Sequence, residues 1–234
     1  MIERLGIPTV TIGLVRPHLE ATRGPRSLFV PFALGRPLGE PEDAAFQTRV
    51  LRQALGMLER TDGPVILEDF AEDAPSQVAR AGWVPGLELP GGDINVADLA
   101  AEIAAVKPHW ERARRRFGRT SVGVVALAPE AWPGALLRYL GDGAVESPVA
   151  GMAAALALRF VADDLKAFYS EAAQADGPAP GVRQVDQWFW SATLAGRVLL
   201  ALRRDGMTRS DNAIKTFASR FLVPMPYLPA GEPR

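Results

Sequence analysis

At 234 residues, with 26 Lys and Arg against 27 Asp and Glu and a net charge of −1, the chain can bury a substantial core and carries no bulk charge to recruit duplex nucleic acid. A hydrophobic content of 48% with 23% charge excludes disorder, and the lack of any cysteine excludes disulfides, thiolate metal sites and a thiol nucleophile in this chain. The longest uncharged apolar run, Val149 to Leu158, is too short to span a bilayer, and Met1-Ile2-Glu3-Arg4 leads into a strand rather than an apolar signal core, which points to the cytoplasm.

Ile7 to Leu14 (IPTVTIGL) is short and β-branched, and Ser27-Leu28-Phe29-Val30-Pro31-Phe32 is a second apolar run closed by turn residues; both read as buried strands. Each is followed by a segment too polar for a core, Arg16-Pro17-His18-Leu19-Glu20 and then Gly35-Arg36-Pro37-Leu38-Gly39-Glu40-Pro41. Ligands of open α/β sheets sit outside the carboxyl ends of the strands, so these two loops are where a site is expected. Glu42 to Arg60 is the clearest helix of the first half, with Pro41 at its start, Glu42 and Asp43 at its positive end, and a stripe of Phe46, Val50, Leu51, Ala54, Leu55 and Leu58. After a turn at Thr61-Asp62-Gly63, Pro64 to Phe70 reads as a third strand carrying Glu68 and Asp69 near its end, which makes a βαβ unit with a parallel pair.

Glu72 to Asn95 is loop-like, with one helical turn expected around Ser76 to Ala81. Asn95 caps a helix through Val96, Leu99, Ile103 and Val106 that continues past Pro108 to Trp110, Ala113 and Phe117, with a kink expected near Lys107. Arg112, Arg114, Arg115, Arg116 and Arg119 close it; cations complementing the dipole on a solvated face outweigh an anion site there. Thr120 to Ala128 reads as a fourth strand, and Glu130 to Leu140 as a short helix ended by Gly141-Asp142-Gly143. Pro148 to Ala173 and Val182 to Arg204 are two long helical patterns joined by the Gln174 to Gly181 break, where Gly177 and Pro178 fall, and an antiparallel hairpin is expected. Arg159, Asp163 and Lys166 are ordinary exposed helix pairs, and Trp190, off the apolar stripe, reads as a subunit contact. Arg209 to Phe221 reads as a last short helix. The fold class expected is α/β: a parallel-sheet layer with flanking helices over residues 1–145, then a C-terminal α-helical hairpin and tail over 146–234.

Ile2-Glu3-Arg4-Leu5-Gly6-Ile7-Pro8-Thr9-Val10, then Phe29-Val30-Pro31-Phe32, then Gly35-Arg36-Pro37-Leu38-Gly39-Glu40-Pro41, with Gln47 heading a helix, resembles the glycine/betaine/sarcosine reductase component B family, which includes the D-proline reductase subunit. The likeness covers about residues 1 to 60 and is most specific in the G-x-P-L-G-x-P loop placed after a strand. It implies an α/β subunit of a reductive-cleavage system, in which a selenocysteine or cysteine attacks the substrate and a partner protein regenerates it. In that family the redox residue precedes the element that stands here as Ile2 to Gly6, and this sequence has no cysteine. The thiol or selenol is therefore expected from another chain.

There is no G-x-G-x-x-G after a strand, no P-loop, no G-x-S-x-G elbow and no H-E-x-x-H, and the two histidines, His18 and His109, fall on different elements, so neither a cofactor nor a metal site is expected. In the first loop His18 can act as a base oriented by Glu20 while Arg16 clamps an acidic substrate; the alternative is a polar strand-end loop in which His18 packs locally. In the second, Gly35 and Gly39 let backbone approach a ligand and Arg36 can bind a carboxylate bidentately; the alternative is a turn stiffened before the next helix. The expected ligand is a small amino-acid-like or carboxylate metabolite bound by Arg16, Arg36, Gly35 and Gly39, with His18 and Glu20 catalytic. The expected assembly is a homo- or hetero-oligomer through the C-terminal helices, with neither nucleic acid nor membrane as partner. Two other readings compete: a non-catalytic assembly or ligand-binding protein on the same fold, and a cysteine-free lyase or isomerase with a His18 base.

Overall fold

The computed structural model describes residues 2–141, 145–176 and 180–231. Asp142 and Gly143 of the expected helix-ending turn, and Gly177 and Pro178 of the expected break, lie outside the described residues. The chain divides into two units, Met1–Ala81 with Pro180–Arg183, and Gly82–Ala179 with Gln184–Arg234. The boundary expected at residue 145 thus falls inside the second unit.

The first unit is α/β. Three parallel strands, β1 (Thr11–Gly13), β2 (Arg26–Phe29) and β3 (Ile66–Asp69), lie in sequence order, with Ile12 beside Leu28 and Leu28 beside Glu68. Both flanking strands are held to the length of the central one. The ladder ends at the bond from the Val30 amide to the Gly13 carbonyl (2.9 Å), because Pro31 has no amide to continue it. At the other end the parallel register sets Thr9 opposite Pro25, which likewise offers no amide, and the Thr9 amide donates to the Glu3 carboxylate at 2.8 Å; Ile7 to Val10, expected as strand, thus lies outside β1, and Ile2–Leu5 forms a 3₁₀ turn.

Helix α1 (Arg16–Thr22) connects β1 to β2 and α2 (Ala44–Gly56) connects β2 to β3. Asp43 caps α2 by accepting from the Phe46 amide at 2.9 Å. The helix buries Phe46, Val50 and Ala54, with Met57 just beyond it, against Leu28, Val30, Phe32, Ile66 and Phe70. Leu51 and Leu55, expected in the stripe, are exposed, since each lies one position, about 100° of helix, beyond a buried residue. Rings of Phe32, Phe46 and Phe70 meet at 5.5 to 5.9 Å between centroids.

The second unit contains no strand among its described residues. Helix α3 (Val96–Phe117), capped by Asn95 on the Asp98 amide (2.9 Å), continues unbroken through Pro108 and buries Leu99, Ile103, Val106, Trp110 and Ala113. α4 (Trp132–Leu137), α5 (Ala154–Ala172) and α7 (Leu194–Thr208) pack on it; the other helices are α6 (Val182–Ala192), which belongs to this unit from Gln184 on, and α8 (Asn212–Phe217), which runs into a π-turn at Ala218–Leu222. The expected pair of long C-terminal helices is instead three: the second pattern is cut at Thr193, and α5 packs chiefly on α3. Thr120 to Ala128 is an irregular segment and not a strand. Its Gly123, Val124 and Val125 amides all donate to the carboxylate of Asp164, each at 3.0 Å. Trp190 is 8% exposed, edge-on to Phe189 and stacked on Tyr227 at 5.9 Å, so it is an internal packing residue and not an open subunit contact. Among the described residues, no helix is long and apolar enough to cross a membrane.

Candidate functional site

The first expected loop is a helix. Pro17 stands in the first turn of α1, where a missing amide costs nothing, and Arg23 ends the helix in the left-handed conformation with its amide on the Leu19 carbonyl (3.0 Å). Helical geometry then decides which side chains meet. Arg16 and Glu20, four apart, form an ion pair on one face, and the Arg16 Nε also donates to both oxygens of Asp69 at 3.1 and 3.3 Å. Asp69 is the last residue of β3 and lies level with Phe29, so the guanidinium crosses the carboxyl end of β2.

His18, two positions from both Arg16 and Glu20, is rotated by roughly 200° from the first of them. It is exposed, and its ring makes no hydrogen bond among the described residues. The structure therefore joins Arg16 to Glu20 and leaves His18 apart, and Glu20 does not orient the imidazole. Arg16 has two carboxylates about it; its charge is already balanced, and such half-exposed pairs add little stability.

The second expected loop keeps its turn chemistry. Gly35 and Gly39 both sit at positive φ, 86° and 79°, and the Gly39 amide closes on the Arg36 carbonyl at 2.9 Å. Two outside contacts pin the loop: the Glu40 carboxylate accepts from the Ser76 amide at 2.6 Å, and the Glu40 carbonyl accepts from Gln47 Nε2 at 2.8 Å. Arg36 Nη1 reaches the Ser76 hydroxyl at 3.3 Å. No carboxylate oxygen lies within 4 Å of Arg36 among the described residues. The structure thus places the six expected residues in two groups, Arg16 with Glu20, and Gly35 with Arg36 and Gly39, with His18 in neither.

Asp69 and Ser76 were not foreseen as parts of either group, and Glu40 was foreseen only as a member of the second loop. Asp69 carried a signal, as a carboxylate ending a strand, whereas Ser76 lies 40 positions from the arginine it meets. Among the described residues no three or more His, Asp and Glu side chains gather as a metal cluster.

Gly39 is the position where the loop tolerates least change. It is buried, and a Cβ there would collide with the Phe46 ring and press on Phe32. Gly39→Ala is expected to lower the unfolding free energy by about 2–3 kcal/mol, combining overpacking with a strained φ. Gly35→Ala, with nothing near its Cβ, should lose only about 1 kcal/mol from the φ strain. Urea titrations of both variants compare the two directly.

Compared with known proteins, the chain matches no family model, no curated protein and no solved structure.

Proposed function

We propose that the chain is the ligand-binding subunit of a reductive-cleavage system similar to the glycine/betaine/sarcosine reductase component B group, taking a small carboxylate-bearing metabolite at the Arg36 loop and drawing any thiol or selenol from another chain. The observation that carries this reading is the state of Arg36: a guanidinium in a loop fixed by Glu40, Gln47 and Ser76, bounded by two positive-φ glycines, with no carboxylate of its own among the described residues. A carboxylate ligand supplies the missing bidentate partner without displacing one. Arg16 supports the loop end of the sheet through Asp69 and serves as scaffold rather than clamp. Assembly through the C-terminal helices belongs to the same proposal, on a face other than Trp190, which is spent on Phe189 and Tyr227.

A second reading, a ligand-binding protein with no chemistry of its own, draws support from His18, whose expected partner Glu20 is engaged by Arg16 and which has no other carboxylate partner among the described residues. The lyase or isomerase reading is weakened by the same fact.

Thermal-shift titration with amino acids, N-methylated amino acids, betaine and keto acids tests the proposal. A ligand present at 100 times its Kd should add about 2.7 kcal/mol to stability. Arg36→Ala is expected to abolish the shift and Arg16→Ala to leave most of it. Identical shifts in the parent and Arg36→Ala across all ligands would remove the site, and turnover by the purified chain without a thiol partner would refute the subunit assignment.

A further inference from the structure

The five arginines near the end of α3 do not share one role. Arg112 Nη2 pairs with Asp176 at 2.9 Å and lies 2.7 Å from His109 Nδ1; Arg116 donates to the Gln174 and Ala175 carbonyls at 3.4 and 3.1 Å. These two tie the helix end to the segment that follows α5. Arg114, Arg115 and Arg119 are exposed, and among the described residues none has a carboxylate oxygen within 4 Å. Arg114 is nevertheless held: its guanidinium lies over the Trp110 ring at 4.7 Å, and Trp110 is itself anchored by donating Nε1 to Glu171 at 2.9 Å.

Together with Glu111, Gly118 and Thr120, these three arginines line a hollow of about 520 Å³. The hollow has three guanidinium charges against the Glu111 carboxylate, the Glu171 carboxylate that accepts from the lining Thr120 hydroxyl at 2.8 Å, and about half a negative charge from the helix end, leaving roughly +0.5. Complementing the helix dipole calls for less than that. Three like charges around one hollow repel one another, and an anion entering it turns that repulsion into attraction.

We propose that this hollow binds the phosphate group of a small phosphorylated metabolite. Guanidinium forks match phosphate oxygens bidentately, and several at once favour a dianion over a single carboxylate. The volume falls within the roughly 300–1,000 Å³ of small-molecule sites, so there is room for an organic part beside the phosphate. A smaller apolar cleft of about 210 Å³, lined by Ala100, Ile103, Ala104 and Pro108 and by the Lys107–Glu130 ion pair, shares Glu111 with the hollow and gives that organic part a place to go. With a net charge of −1, the chain is suited to a small ligand rather than to a polyanion tracked over many contacts. The site lies wholly in the second unit and does not depend on the Arg36 proposal.

Calorimetric titration of the full chain with inorganic pyrophosphate, at ionic strength held constant with sodium chloride, tests it. Saturable binding is expected, weakened at least tenfold in the Arg115→Gln/Arg119→Gln double variant and unchanged in Arg36→Ala. Both arginines are exposed, and an unchanged near-UV circular dichroism spectrum verifies that the double variant is folded. No binding by the parent, or equal binding by parent and double variant, overturns the proposal. So does binding of single-stranded DNA or anionic vesicles through the same arginines by a chain that ignores pyrophosphate.

Discussion

Asp164→Ala is expected to destabilise the protein by about 3–5 kcal/mol, seen as a lower urea midpoint at unchanged m-value. The carboxylate is wholly buried, on the inner side of α5, and one oxygen accepts from Gly123 and Val124 while the other accepts from Val125. Hydrogen bonds to a charged acceptor contribute about 1.5–3 kcal/mol each, and the Val125 amide sits in a buried residue that water does not readily reach. Truncation removes all three bonds at once. Asp164→Asn should recover only part, because its amide nitrogen must face at least one of the donors it replaces an acceptor for. Asp163→Ala next door, which breaks only half-exposed pairs to Arg159 and Lys166, is the control and should shift the midpoint by less than about 1 kcal/mol. Equal shifts at positions 163 and 164 would mean that the three amides find other partners.

That carboxylate also accounts for what the sequence could not disclose. Thr120 to Ala128 has the composition of a strand, but a run of amides needs acceptors, and here they come from a side chain about 40 residues further along rather than from a neighbouring strand. Local pattern cannot contain such a partner. Where the partner is local, pattern suffices: the parallel β2–α2–β3 unit, the Asn95 cap and the glycine-bounded turn of the Arg36 loop were legible, although α2 starts at Ala44 with Asp43 as its cap and not at Glu42. Helix α1 was legible too, since Pro17 marks a helix start and Arg16 and Glu20 stand four apart. Polarity alone made it a loop, and with that misreading went the supposed pairing of His18 with Glu20. Trp190 failed for the opposite reason. It lies off the helical stripe, yet Tyr227 in the tail covers it, 37 positions ahead in the chain, beyond what helical periodicity can report.

Glu102→Ala should have an effect of the same size, about 3–5 kcal/mol, through a different element. Glu102, 1% exposed on α3, accepts from the Tyr169 hydroxyl of α5 at 2.8 Å and from the first two amides of α7, Leu194 at 2.8 Å and Ala195 at 3.0 Å. The third amide, Gly196, is taken by the Thr193 hydroxyl at 2.9 Å, which in turn donates to the Phe189 carbonyl at 2.7 Å. The first three amides of α7 are thus satisfied, two of them by a carboxylate that also complements the helix's positive end. This is why the pattern from Val182 to Arg204 breaks at Thr193: the break has a buried acceptor waiting 92 residues upstream. Removing it leaves amides and a phenol unpaired inside the core. Tyr169→Phe removes only one donor and should cost about 1 kcal/mol. A tyrosine titration separates the electrostatic part, because burial first and the Glu102 charge next push the Tyr169 hydroxyl well above its ordinary pKa. Glu102→Gln takes away the charge and should let that tyrosine ionise at lower pH, while keeping more stability than Glu102→Ala. An unchanged tyrosine titration in Glu102→Gln would show that burial alone holds the phenol, and an unchanged urea midpoint in Glu102→Ala would show that α7 starts without its carboxylate.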